Sequence, residues 1–351
     1  MTATSYTPAG YLLARVGVRR SVLIHRRSAV VTVCALALTL AVATLTMATG
    51  PYAITPQEAL GTLLGGGSAT DRFIVLDQRL PRAVAAALVG IALGGSGAIF
   101  QSVSRNALGS PDIVGFTTGA ASGGLIAILV VGAGSSSPVF AGTIIGGAAT
   151  ALVVIAFALR RGATGDRLVL SGIAIAAMLA AVNDYLISRA PLESAEAAKA
   201  WQHGSLNAIT WAPLLPLAVT LPLIVPVAIL LTRRMRLLEL GDDSAAGVGV
   251  HVIGTRITAI VTGIALVAVG VATAGPIGFL ALAAPQLARR LTGAPGIAPG
   301  ASMAIGAALL VIADLLAQRL LSPFQIPVGL VTSAVGGAYL VWLLTLARQR
   351  V

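Results

Sequence analysis

Few side chains in this 351-residue sequence could carry out bond chemistry. The three histidines, His25, His203 and His251, are scattered, and Cys34 is the one cysteine. Transition-metal transfer wants clustered imidazole or thiolate ligands, so no metal site is expected. A single cysteine excludes a disulfide within the chain, and Cys34 reads as a packing residue inside an apolar helix. Ser96 stands between glycines in Gly94-Gly-Ser-Gly97, a setting that suits a serine nucleophile. Such a serine needs a base within hydrogen-bond reach, and all three histidines map to loops, so glycine packing is the reading there. Lys199, the one lysine, follows two alanines rather than the glycine-rich loop that cradles a phosphate. The chain is therefore not expected to bind nucleotide.

What remains is charge placed where it can dock or relay. Asp184 and Asp314 interrupt apolar runs, and an acid inside a membrane is a proton-relay candidate by default. Both map near the outer ends of their runs, where they are expected to reach water and to serve as structural caps. Arg79 and Arg82 stand at the outer mouth of another run, where snorkelling to the interface is the simplest role. Asp242 and Asp243 follow Gly241 and precede small residues, so a short helix could start here with its acids at the positive end. From the residues alone an ordinary solvated loop is the favoured reading.

The elements that position these groups are membrane helices. Hydrophobic residues make up 57% of the chain and charged residues 10%, with a mean hydropathy of +0.94, too little polar surface to coat a soluble core of this length. Apolar runs at 28–48, 83–103, 113–133, 139–159, 168–188, 212–232, 255–273, 276–291, 299–317 and 327–346 predict an all-α polytopic protein of about ten spans. Pro276 and Pro285 punctuate the eighth. The first run follows basic residues but is long for a signal peptide and has no small-x-small cleavage site, so it reads as a retained helix. Many of the 40 glycines fall inside these runs, where Gly90-xxx-Gly94, Gly119-xxx-Gly123 and Gly142-xxx-Gly146 permit close helix approach. Val89-Gly-Ile-Ala-Leu93 echoes in Thr262-Gly-Ile-Ala-Leu266, on runs of opposite direction, as an inverted five-plus-five repeat would produce.

Short basic loops stay in the cytoplasm. With the amino terminus inside, Arg15, Arg19, Arg20, Arg26, Arg27, Arg105, Arg160, Arg161, Arg167, Arg233, Arg234, Arg236, Arg256, Arg289, Arg290, Arg348 and Arg350 face inward, 17 of the 23 basic residues. The domain reading is a cytoplasmic segment 1–27, one transmembrane domain 28–346 with an inner loop at 233–250, and a cytoplasmic tail 347–351. The net charge of +11 is then a topology signal facing anionic lipid, with no basic soluble domain for nucleic acid.

One ordered set of motifs goes further. Arg79-Leu-Pro-Arg82, Ser96-Gly-Ala-Ile-Phe-Gln101, Arg105-Asn-Ala-Leu108 and Ser110-Pro-Asp-Ile-Val-Gly115 resemble the second membrane helix, and the turn after it, of permeases from ABC importers for iron-siderophores and cobalamin. Ala274-Gly-Pro-Ile-Gly-Phe279 and Ala284-Pro-Gln-Leu-Ala-Arg-Arg290 resemble later elements of that family, with Gln286 at a histidine position. Ala107 stands where the family has proline, which predicts a more flexible turn. Trp201-Gln-His-Gly-Ser-Leu-Asn207, Arg234-Met-Arg-Leu-Leu-Glu-Leu-Gly-Asp-Asp243 and Pro323-Phe-Gln-Ile-Pro-Val-Gly329 are similar to the ferric-enterobactin branch.

The resemblance implies a type II ABC importer permease that does no catalysis itself, with a ferric siderophore of catecholate type as favoured substrate. Cobalamin or haem import, or a proton-coupled secondary transporter, is the alternative. It implies a homologous permease chain as dimer partner, two ATPase subunits that bind ATP-Mg, a siderophore-binding protein outside, and a bacterial inner membrane. It assigns Leu238, Gly241, Asp242, Asp243, Ala245 and Gly249 to ATPase coupling. Arg79, Arg82 and Arg319 are assigned to binding-protein docking, with Gln318 at the family's usual third basic position. Asn106 and Leu108 are assigned to the cytoplasmic gate.

Overall fold

The computed structural model describes residues 10–16, 20–50, 52–132, 136–159, 165–207, 209–294, 296–322 and 324–348. Arg19, Arg160, Arg161 and Arg350, counted above toward the inner face, lie outside them, as do Pro323 and tail residues 349–351.

Each of the ten apolar runs falls on a helix. Among the described residues, seven helical stretches are long and apolar enough to cross a membrane: Arg26–Ala48 (α1), Ala69–Val103, Ser136–Phe157, Val169–Arg189, Trp211–Glu239 (α9), Val252–Ala274 (α11) and Pro299–Arg319 (α13). The second is a continuous rod built from a short helix α3 (Ala69–Arg72), a π-helical stretch Phe73–Arg79, and α4 (Leu80–Val103). The third and fourth belong to α6 (Ser136–Leu159) and α7 (Gly165–Arg189).

Two of the remaining three runs form helices too short for a full span. The run at 113–133 yields α5 (Phe116–Leu129), because residues 111–115 form a turn that ends at Gly115 with φ 81°. The run at 276–291 yields α12 (Leu280–Thr292), because Gly275 (φ 72°) and Phe279 (φ 65°) adopt left-handed backbone and break the helix. At 1.5 Å per residue these 14- and 13-residue helices reach only about 20 Å, short of a hydrocarbon core of about 30 Å. The run at 327–346 becomes α14 (Val328–Arg348), whose apolar part is described over Val328–Tyr339.

One expectation needs correction. The fold is nearly rather than wholly helical: β1 (Tyr11–Val16) pairs antiparallel with β2 (Arg20–His25), with Tyr11 opposite His25. Segment 52–82 is largely ordered helix, with α2 (Pro56–Leu63) opened by a Thr55–Glu58 capping box, and Arg79 ends the π-helical stretch that leads into α4. The segment after α7 likewise holds α8 (Leu192–Gln202).

The centre of the bundle is α4, α11 and α13, mostly buried, while α1, α7 and α9 expose most of their surface. Glycine makes this centre possible. A methyl group on Gly90 or Gly306 would overlap the backbone of the facing helix, and one on Gly97 would strike the Ala281 carbonyl. Gly123 and Gly142 meet in the same way between α5 and α6, as does Gly146 with the backbone of Gly119 and Gly123. Phe100 packs on Phe116 with ring centroids 5.1 Å apart.

Candidate functional site

The candidate residues gather at the two ends of α4. At the amino-terminal end, Arg82 is 9% exposed. Its Nη2 lies 2.9 Å from Asp314 Oδ1 and its Nε 3.0 Å from Oδ2. Nη1 donates to Gln325 Oε1 at 2.7 Å and Nη2 to Asn207 Oδ1 at 2.8 Å. The other side of the carboxylate accepts from Gln318 Nε2 at 2.7 Å. Asp314 is 2% exposed, so the expectation that it reaches water is overturned, and it is the counter-ion of a buried arginine. Charge pairing and hydrogen bonds to every side of the pair make burial tolerable. The network joins α4 and α13 to the segments after α8 and after α13.

Arg79 points elsewhere. Its Nη1 donates to Met47 O and its Nη2 to Tyr52 O, both at 2.6 Å, closing the carboxyl end of α1 with positive charge. Arg319 is exposed and within electrostatic reach of Arg79. Gln318, at the family's usual basic position, is turned inward onto Asp314.

At its carboxyl-terminal end, α4 closes in a turn. Arg105 N–H donates to Ser102 O and Asn106 N–H to Gln101 O, the bonding pattern of a Schellman cap. Asn106 Oδ1 accepts from Leu108 N–H at 2.9 Å, and Gly109 N–H donates to Asn106 O at 3.0 Å. Leu108 is left 52% exposed. Gln286 Nε2 donates to Ala107 O, so the two departures from the family pattern touch each other. The turn expected to be loose at Ala107 is held from α12.

Facing this turn is α10 (Asp242–Gly247), a short helix that follows Gly241, whose φ of 118° only glycine adopts readily. Asp242 faces inward between Arg256, at 2.9 and 3.0 Å, and Arg105. Partial burial opposes its ionisation, but the hydrogen bond and charge of Arg256, then those of Arg105, outweigh that and hold the carboxyl below its ordinary 3.8. Asp243 and Gly249 are exposed, Gly241 is half-buried, and Leu238 and Ala245 are buried beneath them.

Between the two ends, three segments quoted for their family likeness converge. Ser205 N–H donates to Ala274 O at 2.8 Å and Gly329 N–H to Gly204 O at 3.1 Å. A polar cavity of about 240 Å³ opens there, lined by Asp112, Thr117, Thr118, His203, Gly278 and Ser333.

Other candidates resolve individually. Ser96 is wholly buried and its hydroxyl donates to Gly263 O at 2.7 Å, a packing bond between α4 and α11. Asp184 is exposed, 4.0 Å from Lys199. Cys34 is exposed on α1, not packed as expected, because α1 lies at the bundle's edge. Among the described residues no group of three metal-ligating side chains exists. Reading the sequence missed Arg105 and Arg256 as partners of Asp242, and Asn207 and Gln325 as partners of Arg82. Arg105 was legible only as a basic loop residue, and the others are more than a hundred residues or a full helical turn series away from the acids and arginines they serve.

The structure is that of a multi-helix membrane protein with arginines gathered at one end of the bundle and a short acidic helix at the other. Residues 38–345 match the family model of the FecCD transport family. The chain is 44% identical over 295 residues to the ferric enterobactin transport system permease protein FepG of Escherichia coli K12, covering 84% of this chain and 89% of that protein. It is 37% identical over 320 residues to the achromobactin transport system permease protein CbrC of Dickeya dadantii, covering 90% and 91%. The hemin transport system permease protein HmuU of Yersinia pestis is 37% identical over 290 residues, 79% of this chain and 84% of that protein. A solved inward-facing metal-chelate type ABC transporter superposes with a TM-score of 0.81 at 27% identity, covering 90% of this chain and 99% of that one. The chain belongs to the FecCD transport family: it is a multi-pass ABC importer permease and not an enzyme.

Proposed function

We propose that this permease imports a ferric siderophore of catecholate type. The observation that carries the reading is the 44% identity to a ferric enterobactin permease along most of both chains. Relatives named for hemin and for ferric citrate keep haem and other iron chelates as the competing substrates. The chain pairs with a homologous permease, identical or not, and with two ATPase subunits that hold ATP-Mg. A binding protein delivers the chelate from outside. No cofactor or metal resides in this chain, and the iron is cargo.

In this reading both termini face the cytoplasm of a bacterial inner membrane, the helices form ten segments in an inverted five-plus-five arrangement, and anionic lipid neutralises the inward arginines. The packing of α4 on α11, which carry the echoed Val89–Leu93 and Thr262–Leu266 segments, supports the repeat. The binding protein docks on the rim of Arg79 and Arg319, with Arg82 behind it holding the outer segments together. ATP-driven closure of the ATPases moves Leu238, Gly241, Asp242, Asp243, Ala245 and Gly249. That motion opens the gate at Asn106 and Leu108.

The test is uptake into proteoliposomes that contain the permease pair and its ATPases, with ATP supplied on the ATPase side and the binding protein on the other. Ferric enterobactin, ferric citrate and haem are compared. Preferential ATP-dependent uptake of ferric enterobactin supports the proposal, and uptake of another chelate alone refutes its substrate. Uptake driven by a proton gradient without ATP would establish a secondary transporter instead.

A further inference from the structure

The carboxyl-terminal end of α4 carries a residue that the backbone does not want. Arg105 takes the left-handed position of the Schellman cap with φ 51°, where glycine is usual and a side chain is strained. Among the described residues, only Arg105 and Phe279 are non-glycine with positive φ. The guanidinium makes two contacts across to the neighbouring corner. Its Nη2 donates to Leu238 O at 2.7 Å, at the end of α9, and to the Asp242 carboxylate at the start of α10.

The corner is tied at two further points. Ser102, in the last turn of α4, donates to Glu239 Oε1 at 2.6 Å. Arg256, near the start of α11, holds the other side of Asp242. The Arg105–Asp242 pair does not by itself account for the arginine: the two side chains are 43% and 44% exposed, and an exposed pair of this kind adds little to stability. A half-exposed link that joins a short helix to the turn bearing Asn106 and Leu108 has the form of a transmission contact.

We propose that Arg105 is the positioning residue that carries the motion of α10 to the turn 104–110. This rests on the coupling role of the 233–250 loop and names how that loop reaches the gate. When the α9–α10 corner moves, a guanidinium bonded to both helices drags the cap of α4 with it. The Gln286 bond to Ala107 O fixes the far side of the turn, so the strain falls on Asn106 and Leu108.

The test uses the complex with its ATPases in a Cys34→Ser background, with Leu108→Cys as the reporter of the gate and a membrane-impermeant maleimide applied from the ATPase side. Trapping with ATP and vanadate should change the labelling rate about tenfold when Arg105 is present. Arg105→Gly keeps the backbone and relieves the left-handed strain, so its unfolding midpoint should hold or rise while the nucleotide response is lost. Asp242→Asn, which weakens the other end, should diminish the response as well. A full response in Arg105→Gly overturns the clamp and leaves the coupling loop standing. No response even with Arg105 present overturns the coupling reading itself. A lowered midpoint with ATPase activity lost in Arg105→Gly would make the residue a structural staple and also overturn the proposal.

Discussion

Arg82 and Asp242 show how differently one ion pair can matter from another. Arg82 is buried with Asp314, so removing one partner strands a charge in a dry environment. Arg82→Ala is expected to cost about 3–5 kcal/mol, while the double change Arg82→Met with Asp314→Leu should recover much of it. Unfolding of the detergent-solubilised permease measures both, and equal losses in the single and double variants would contradict the account. Asp242 is half-exposed, and its depressed pKa sets a pH window rather than a large energy. Its contribution is present above 3.8, the ordinary value that applies in the unfolded chain, and is lost as pH falls through the lower folded value. The difference in unfolding midpoint between wild type and Asp242→Asn should therefore be constant from pH 7 to about 5 and vanish on further acidification.

Helix contacts at the centre depend on the absence of side chains. Gly97 faces the Ala281 carbonyl with no room for a methyl group, and backbone cannot step aside as a flexible side chain can. Gly97→Val is expected to destabilise by about 3 kcal/mol or more, read as lost folded protein in the membrane. Gly241 is constrained for another reason: the space around it is open, with Ser244 Oγ 3.8 Å from where a Cβ would stand, but its φ of 118° excludes one. Gly241→Ala alone should therefore distort the start of α10 and lower the uptake obtained per ATP hydrolysed while leaving the bundle folded. An unchanged ratio would separate α10 from coupling.

For the whole assembly, the outer rim and the energy source can be tested together. Arg79→Glu with Arg319→Glu should slow association with the binding protein about tenfold at low salt and much less at high salt. Acid-to-base changes on the binding protein should restore it in part. Surface-plasmon kinetics that ignore salt would remove the electrostatic account. Asp184→Asn should retain ATP-driven uptake, since that acid is exposed. Asp314→Asn should lower protein yield without creating any dependence on a proton gradient, since its carboxylate serves Arg82.

The sequence by itself determined the class of molecule. Apolar runs declare membrane helices because each backbone polar group must be satisfied within its own segment. The ordered motifs on those runs declared the family, and the Gly-Asp-Asp pattern located α10. Periodicity and composition are local, so local properties were legible. The tertiary structure alone decided which runs stop short, because left-handed positions at Gly115, Gly275 and Phe279 end helices that hydropathy would extend. It alone paired Arg82 with Asp314, 232 residues away, and Arg105 with Asp242, 137 residues away. Ion pairs of that separation leave no periodic trace in a single chain: each arginine looks like one more interfacial cation until packing brings its acid to it.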